Sequence, residues 1–399
     1  MSYFTQGMNG KKVKLVDNQD GTHSISARPE SVPTQVRVPK KTEVVNTGLN
    51  GYALFVDKDD NVYYQRSGIL FRTPDGVQEE RLLSIYDFEG EVDQINWICK
   101  THENGKYVMT AGKYSRQKGQ VWTADSLEGP WTKKLDVTEI EGLGDSEFRM
   151  SNCWHHYDGT TDIIIVATYG VYHQTNNPNP CNHVYLSLDE GQTFKKILET
   201  DIKVTDVNNH IHAVSYSPWD GWIWVVHGDG DNRGIMYSYD LGKNWVVVSD
   251  GKFRAGGWQP TSVVPLINQT AFGTDNPLSN GVMTWHRPGT TKSSTVGYAW
   301  QKLHYDGKVL IARKGAQISA VEAYIPLVEN NTTTILVTGD GGFSWHAART
   351  FAKGLPFELG FTNPDSNGYV WGSGMRKFKV TEWDDITQWI GGKHLDYTP

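Results

Sequence analysis

One eight-residue phrase occurs three times in this chain, at Ser187–Phe194, Ser238–Trp245 and Thr338–Trp345. Each copy has a hydroxyl residue, an aspartate two positions later, a glycine two positions after that, and an aromatic residue at the end. The copies begin 51 and then 100 residues apart, which is one period followed by about two. Such a period, in a chain whose segments read as strands, constrains the fold more than any other feature of the sequence.

The phrase has the chemistry of a tight turn between two strands. Strand-like segments lead into and out of each copy. An aspartate at the start of a hairpin turn accepts hydrogen bonds from the turn's own backbone, and the glycine that follows supplies a positive φ. We therefore expect Asp189, Asp240 and Asp340 to stabilise outer hairpins and not to contact a ligand.

A repeat of this length predicts the blades of a β-propeller. Pairs of strands separated by a polar turn recur at 51–68, 95–114, 151–170, 211–229, 261–275, 321–340 and 357–374. We predict an all-β protein in which residues 46–399 form a six- or seven-bladed propeller and residues 1–45 form an N-terminal attachment segment. Residues 276–318 are either a long loop or part of an irregular blade.

The repeated phrase resembles the Asp-box (BNR) repeat of sialidase-like β-propellers. The three copies follow the family pattern except at Asn244, and a fourth version at 123–131 carries an insertion. The resemblance implies that the boxes lie on outer hairpins, away from a central site. In addition, residues 15–26 (LVDNQDGTHSIS) resemble a linker phrase of bacteriophage tail and baseplate proteins, and an N-terminal hairpin packed on the ring is the alternative interpretation.

Composition excludes several classes of protein. A net charge of −7 without a basic block argues against a nucleic-acid partner, and an aromatic content of 12% argues against disorder. The three cysteines form no CxxC pair, and the sequence has neither a signal peptide nor an apolar run long enough for membrane insertion. We expect a protein made in a host cytoplasm and built into a virion tail, or otherwise a cytoplasmic protein, with no cofactor.

The ligand site of a propeller is expected at the mouth of its central channel, among residues at the starts of the inner strands. His210 and His212 alternate with Ile211 on one strand, so both face the same side. The alternatives are a base, a metal site and a structural pair of hydrogen-bonded histidines; we predict no metal. The catalytic candidates are His210, His212, Arg149, Asp275 and Glu322. The ligand-binding candidates are Trp154, His155, Trp258, Gln259 and Arg287.

These residues favour sugar recognition, because aromatic faces stack on sugar rings and planar polar groups bind hydroxyls. Catalytic sialidases hold their substrate with three arginines, and of their hallmarks only an Arg-Ile-Pro phrase has a counterpart here, VRVP with Arg37. The leading hypothesis is a non-enzymatic, homo-oligomeric tail protein that binds cell-surface or cell-wall polysaccharide and other virion tail proteins. The alternatives are a glycan-cleaving enzyme and a scaffolding ring without a ligand. The enzyme would be a sialidase-like hydrolase using two of Asp275, Glu322 and Glu147, or a polysaccharide lyase using His210 or His212, a tyrosine and Arg149.

Overall fold

The computed structural model describes residues 4–6, 12–17, 23–25, 33–88, 92, 94–113, 118–137, 146–170, 182–200, 210–228, 233–249, 259–267, 269–274, 281–286, 300–304, 311–329, 332–342, 344–352, 357 and 360–389. These residues are strands and turns, with short 3₁₀ turns such as Ile85–Phe88 and Met150–Asn152. Among them there is no helix with the length and hydropathy required to cross a lipid bilayer.

Seven antiparallel sheets follow one another along the chain, and we number them as blades 1 to 7. Before them, β1 (Phe4–Gln6), β2 (Lys12–Asp17) and β3 (His23–Ile25) form a small sheet, and β4 (Pro33–Asn46) follows. Blade 1 consists of β5 (Tyr52–Val56), β6 (Val62–Arg66), β7 (Ile69–Thr73) and β8 (Glu80–Ser84). Blade 2 consists of β9 (Gln94–Lys100), β10 (Tyr107–Lys113), β11 (Lys118–Ala124) and β12 (Thr132–Asp136).

Blades 3 to 5 repeat the same four-stranded order. Blade 3 consists of β14 (Cys153–Tyr157), β15 (Asp162–Ala167), β17 (His183–Ser187) and β18 (Lys195–Glu199), beside the paired short strands β13 (Ser146–Glu147) and β16 (Tyr169–Gly170). Blade 4 consists of β19 (Ile211–Tyr216), β20 (Ile223–His227), β21 (Gly234–Ser238) and β22 (Val246–Ser249). Blade 5 consists of β23 (Pro260–Pro265), β24 (Gln269–Thr274), β25 (Gly281–His286) and β26 (Trp300–His304).

The last two blades are less regular. Blade 6 has an interrupted inner strand, β27 (Ile311–Ala312) and β28 (Ala316–Gln317), followed by β29 (Ala323–Glu329), β30 (Thr332–Thr338) and β31 (His346–Ala352). Blade 7 consists of β32 (Val370–Gly372), β33 (Arg376–Trp389) and β4. The segment 276–318 therefore supplies the outer strands of blade 5 and the inner strand of blade 6.

The hydrophobic core lies between neighbouring blades. Ile163 to Ala167 in β15 are all buried, whereas only Leu198 is buried in the outer strand β18. A strand covered by another blade on each face reads as a continuous apolar run, and an outer strand reads as mostly polar. Burial thus divides blade 3 into apolar middle strands and a solvated outer edge.

Blade 7 joins a strand from the N-terminal part of the chain to the last described strand. β4 pairs with β33 along its whole length, from Pro33 opposite Trp389 to Asn46 opposite Arg376. The strand that closes the ring is thus contributed by residues 33–46, and the predicted boundary between 45 and 46 falls at its end. The attachment role of the N-terminal segment stays a prediction.

Blade 7 is joined to blade 1 by the side chain of Asn363. The Val56 N–H donates to Asn363 Oδ1 at 3.0 Å, and Asn363 Nδ2 donates to the Val56 carbonyl at 2.6 Å. Both the oxygen and the nitrogen of the Asn363 side-chain amide therefore bond to the backbone of Val56, in the way that the backbone of a neighbouring strand would. The ring is closed by hydrogen bonds between its first and last blades as well as by packing.

The repeated phrase forms the same turn three times, each between the third and fourth strands of a blade. In blade 3, Ser187 Oγ donates to Asp189 Oδ1 at 2.8 Å and accepts the Gly191 N–H at 2.9 Å. The backbone N–H four residues after the aspartate donates to the same carboxylate at 2.9 Å. The same bonds recur around Asp240 and Asp340. All three aspartates lie in outer hairpin turns.

The glycine of each phrase also sets how closely the turn approaches the preceding blade. Gly242 has a φ of +86°, and a Cβ there would lie 2.5 Å from Ile197 Cβ. Trp245 Nε1 donates to the Ile197 carbonyl at 2.8 Å. Gly191 and Gly342 face the preceding blade in the same way. The phrase therefore stabilises the contact between blades as well as its own hairpin.

Blade 1 has a related turn that the repeat pattern did not reveal. Thr73 Oγ1 donates to Asp75 and accepts the Gly76 N–H, while Asp75 Oδ1 accepts the N–H groups of Val77 and Gln78. The hydroxyl and the aspartate are again two residues apart, but the glycine follows the aspartate directly and no aromatic residue ends the phrase. The same kind of hydrogen-bonded turn thus also occurs in a blade that lacks the repeated eight-residue phrase.

Candidate functional site

A large cavity lies at the end of the central channel where the inner strands begin. Its volume is about 630 Å³, and blades 1 to 6 all contribute to its wall. The polar side chains that line it are Tyr52, Gln65, Gln94, Asn96, Arg149, Ser151, Tyr169, His210, His212, Gln259, Thr261, Arg313 and Lys314. We call this space the central cavity. It lies within the volume range of small-ligand sites.

The central cavity is cationic although the whole chain is anionic. Arg149, Arg313 and Lys314 line it, and none of its described lining residues is a carboxylate. The chain as a whole has a net charge of −7. A cleft lined by one sign of charge attracts ligands of the other sign, and low-dielectric walls strengthen that attraction. The cavity is therefore suited to an anionic ligand.

Four side chains form a continuous cluster on one wall. The guanidinium carbon of Arg149 lies 3.7 Å from the centre of the Tyr169 ring. That ring lies 4.2 Å from the ring of His210, and the rings of His210 and His212 are 4.6 Å apart. The cluster combines a cation, a phenol and two imidazoles. Arg149 and His210 precede blades 3 and 4, Tyr169 is in β16, and His212 is in β19.

The hydrogen bonds of His212 determine how the pair shares its protons. His212 Nδ1 is 2.8 Å from the Pro260 carbonyl, which only accepts, so Nδ1 carries a hydrogen. His212 Nε2 lies 2.8 Å from His210 Nε2. In the neutral pair His212 Nε2 is therefore the acceptor and His210 Nε2 the donor.

Lys314 lies at the base of the central cavity. Its Nζ donates to the carbonyls of Met150 and Cys153, at 3.1 and 3.2 Å. Burial lowers the pKa of Lys314 to about 8, against the opposing influence of the thiols of Cys153 and Cys99. An ammonium group has three donors, so these two carbonyls leave one for a ligand.

A second chamber of about 180 Å³ lies beyond Lys314, which lines both spaces. The structure places Trp154 and His155 in the wall of this second chamber and not in that of the central cavity. The prediction that they join the mouth cluster is wrong, because β14 runs away from the mouth and carries its side chains with it. Trp154 Nε1 and Gln317 Nε2 are buried donors with no partner among the described residues, so the chamber offers unused N–H groups.

Glu322 is not in the central cavity. The sequence places it on an inner strand, but the inner strand of blade 6 is β27 and β28, and Glu322 precedes the second strand, β29. Its carboxylate accepts a hydrogen bond from the Tyr324 hydroxyl, and burial raises its pKa. Arg37 is also remote, because it lies on β4 and pairs with Asp385 at 3.2 Å. The catalytic assignment of Glu322 is therefore corrected.

The remaining predicted residues divide into two groups. His210, His212, Arg149 and Gln259 line the central cavity together, as the sequence predicts, and their roles there stay predictions. Trp258, Asp275 and Arg287 lie outside the described residues, as does the side chain of Glu147.

Sequence reasoning missed several lining residues. Tyr169 lies two residues after the last residue of the apolar strand β15, so a polar aromatic residue just past a buried strand was the available signal. Arg313 and Lys314 lie in the segment that the sequence left unassigned. The amides of Gln65, Gln94 and Asn96 had no motif to mark them, and only the ring geometry brings them to one cavity.

Comparisons with known proteins agree on architecture. No protein-family profile and no curated protein matches the chain. Among solved structures it is similar to YCF48 bound to D1 peptide, at 11% identity and a TM-score of 0.53, over 88% of this chain and 98% of that one. It is also similar to the β-propeller domain of Cps50 (Swd1) from Myceliophteria thermophila, at 9% identity and a TM-score of 0.50, over 86% and 100% of the two chains.

The chain is a β-propeller. A third similar structure, YCF48 from Cyanidioschyzon merolae, has 11% identity and a TM-score of 0.50 over 87% of this chain and 98% of that one. Identities this low establish the fold alone, because many unrelated functions share the propeller scaffold. The function of this propeller therefore has to be argued from its central cavity.

Proposed function

We propose that this propeller is a carbohydrate-recognition protein that binds an acidic saccharide in the central cavity. The observation that carries the proposal is the lining: three cationic side chains, two histidines and several amides, without a described carboxylate. A uronate or a similar sugar acid presents one carboxylate and several hydroxyls. The cationic side chains can pair with the carboxylate, and the amides can hydrogen-bond to the hydroxyls.

Each part of the lining has a separate task in this proposal. Arg149 is the main carboxylate ligand, because a guanidinium presents paired donors to a carboxylate and the Tyr169 ring holds it in place. Lys314 adds a second positive charge at the base of the cavity. Gln94, Asn96 and other amides donate to and accept from hydroxyls, which makes them suitable for sugar recognition.

The wider setting that we propose is recognition of a host cell-surface or cell-wall glycan by a bacteriophage tail protein. It is supported by the tail-like phrase at residues 15–26 and by the likeness of the three outer turns to Asp boxes. A homo-oligomer bound to other tail proteins would present many copies of one weak sugar site, which raises the overall affinity for a surface.

The test is a comparison of polyuronates with neutral polysaccharides of similar length by calorimetric titration. We expect binding of the polyuronate only, and a loss of roughly 10- to 100-fold in affinity for Arg149→Ala, since a hydrogen bond to a charged group contributes about 1.5–3 kcal/mol. Arg349→Ala is the matched control, because Arg349 is exposed on the outer strand β31. Equal binding of neutral and acidic chains, or no effect of Arg149→Ala, contradicts the proposal.

Adsorption to cells tests the wider setting separately. Purified protein is incubated with candidate host cells, intact or stripped of acidic polysaccharide. We expect adsorption that depends on the polysaccharide and is lost in Arg149→Ala. Binding of soluble polyuronate without any adsorption would retain the sugar site and reject the tail role.

A second candidate function is a polysaccharide lyase, which the contacts of Tyr169 with Arg149 and His210 favour. In such a reaction Arg149 pairs with the uronate carboxylate and an imidazole removes the proton alpha to it. The electrons of that C–H bond form a C=C bond as the glycosidic C–O bond breaks, and the Tyr169 hydroxyl protonates the departing oxygen. Ultraviolet absorbance from an unsaturated product establishes this function, and retention of intact polymer establishes binding alone. A hydrolase is less favoured, since the described lining lacks the two carboxylates that it needs.

A further inference from the structure

A second group of polar side chains lies at the other ends of the inner strands, where blades 2 and 3 meet. His102 is in the turn between β9 and β10, His155 is in β14, and Asp162 is the first residue of β15. One ring nitrogen of His102, one of His155 and a carboxylate oxygen of Asp162 all lie within 4.8 Å of one another. The geometry points to a binding site for a divalent transition-metal ion, of which Zn²⁺ is the representative.

Two of the three distances between the ligand atoms require only a small adjustment to accept a metal, and the third, between the two imidazoles, is at most 4.8 Å. His155 Nε2 and His102 Nδ1 are 2.6 and 3.5 Å from Asp162 Oδ1. Ligand atoms on a tetrahedral zinc ion, with bonds of about 2.0–2.1 Å, are separated by roughly 3.3 Å. An ion between the three atoms therefore lengthens the first distance by several tenths of an ångström and leaves the second nearly unchanged.

The surroundings of the three ligands hold them in place. The N–H of His102 donates to both oxygens of Asp162 at 3.0 Å, and the N–H of Glu103 donates at 3.3 Å. The ring of His102 stacks on Tyr157, with centroids 4.7 Å apart and planes within 5°. Outer contacts of this kind orient the ligands of metal sites.

Burial also suits a metal. The side chains of Asp162 and His155 are 0% and 3% exposed, and that of His102 is 33% exposed, which leaves a solvent-facing position for a water ligand.

The ligand set indicates which ions would bind. Two imidazole nitrogens and one carboxylate oxygen suit zinc and its neighbours, whereas Ca²⁺ and Mg²⁺ require mainly oxygen ligands. Because His102 comes from blade 2 and the other two ligands come from blade 3, the bound ion would link two adjacent blades. Its role is structural, and the site is separate from the central cavity.

The test uses the full-length protein after treatment with a chelator. We expect calorimetry to show one equivalent of Zn²⁺ bound at this site, a rise in Tm on addition of Zn²⁺, and the absorption spectrum of tetrahedral Co²⁺ when cobalt replaces zinc. His102→Ala should weaken binding at least tenfold. It is the preferred variant, because the side chain is partly exposed and the backbone N–H to Asp162 remains. His156→Ala is the matched control, as it removes a neighbouring imidazole that is not in the cluster.

Two results overturn the inference. One is the absence of any bound Zn²⁺ and of any Tm shift in the wild-type protein, in which case the three side chains form only a hydrogen-bonded clasp. The other is that His102→Ala binds Zn²⁺ with the same stoichiometry and affinity as the wild-type protein. That result would assign the metal to histidines elsewhere. Should His102→Ala fail to fold, His102→Gln, which retains a polar side chain of similar reach, is measured in its place.

Discussion

The guanidinium carbon of Arg149 lies 3.7 Å from the centre of the Tyr169 ring, so that one aromatic side chain supports the principal cation of the central cavity. The same ring also contacts His210, and the two ring centres are 4.2 Å apart. Tyr169 belongs to the short strand β16, which pairs with β13 just before Arg149. The position of the cation thus depends on a two-stranded pairing outside the blades.

Substitution of Tyr169 separates binding from catalysis. Tyr169→Phe keeps the ring under the guanidinium and should change polyuronate affinity by less than about threefold, because cation–π support survives. Tyr169→Leu removes the ring and should weaken binding roughly tenfold. The measurement is calorimetric titration of both variants, with turnover followed in parallel. A loss of product formation in Tyr169→Phe at unchanged affinity would instead make the hydroxyl the acid of a lyase.

Lys314 should make stability depend on pH in the alkaline range. Its pKa is lowered from 10.5 to about 8 in the folded protein, chiefly by burial. Between these values the unfolded chain binds a proton that the folded protein does not, so the free energy of unfolding rises with pH, by up to roughly 3 kcal/mol. Urea unfolding of wild type and Lys314→Met at several pH values from 7 to 10.5 measures the difference. A wild-type curve parallel to that of the variant would contradict a lowered pKa.

Asp189→Ala should affect stability and not ligand binding. The carboxylate accepts bonds from Ser187 Oγ, Thr193 Oγ1 and the Thr193 N–H, and its loss should lower the free energy of unfolding by on the order of 1 kcal/mol. Asp189→Asn is the conservative control, since one amide oxygen can still accept. Denaturant unfolding gives the first quantity and polyuronate titration the second. A large fall in affinity would show that the turn contributes to the site after all.

Gly242→Ala tests whether the repeated glycine holds blades together. A Cβ at this position, where φ is +86°, would lie 2.5 Å from Ile197 Cβ on the preceding blade. Gly374→Ala is the matched control, because its φ is +70° and no atom lies within 4 Å of the added Cβ. Both variants carry the backbone strain, and only Gly242→Ala adds overpacking, which costs about 1–3 kcal/mol more. Equal Tm values for the two variants would mean that the turn can move away from Ile197.

Much of the architecture could be predicted from the sequence because it is local. A hydroxyl residue, an aspartate and a glycine at fixed offsets determine a hairpin turn through bonds that span four residues. Their spacing along the chain then implies repeated blades. The pair His210 and His212 is predictable for the same reason, since alternation along one strand places both on one face.

Closure of the ring could not be predicted in this way. The pairing of Pro33–Asn46 with Arg376–Trp389 joins residues more than 300 positions apart, and neither strand has a motif that names its partner. The sequence of the interrupted inner strand of blade 6 also has no motif that marks it as an inner strand. For this reason Glu322 was expected in the cavity and Lys314 was not.

The sequence by itself determined the strands, the outer turns and a propeller of six or seven blades, since these follow from periodicity and from hydrogen bonds between near neighbours. The tertiary structure alone decided that the described residues form seven blades, that Arg149, Arg313 and Lys314 converge on one cavity, and that His102 meets His155 and Asp162 across two blades. The physical reason is that the ring turns sequence separation into proximity. Residues at the starts of successive inner strands become neighbours around the central axis of the propeller. No local sequence pattern indicates which residues will face that axis.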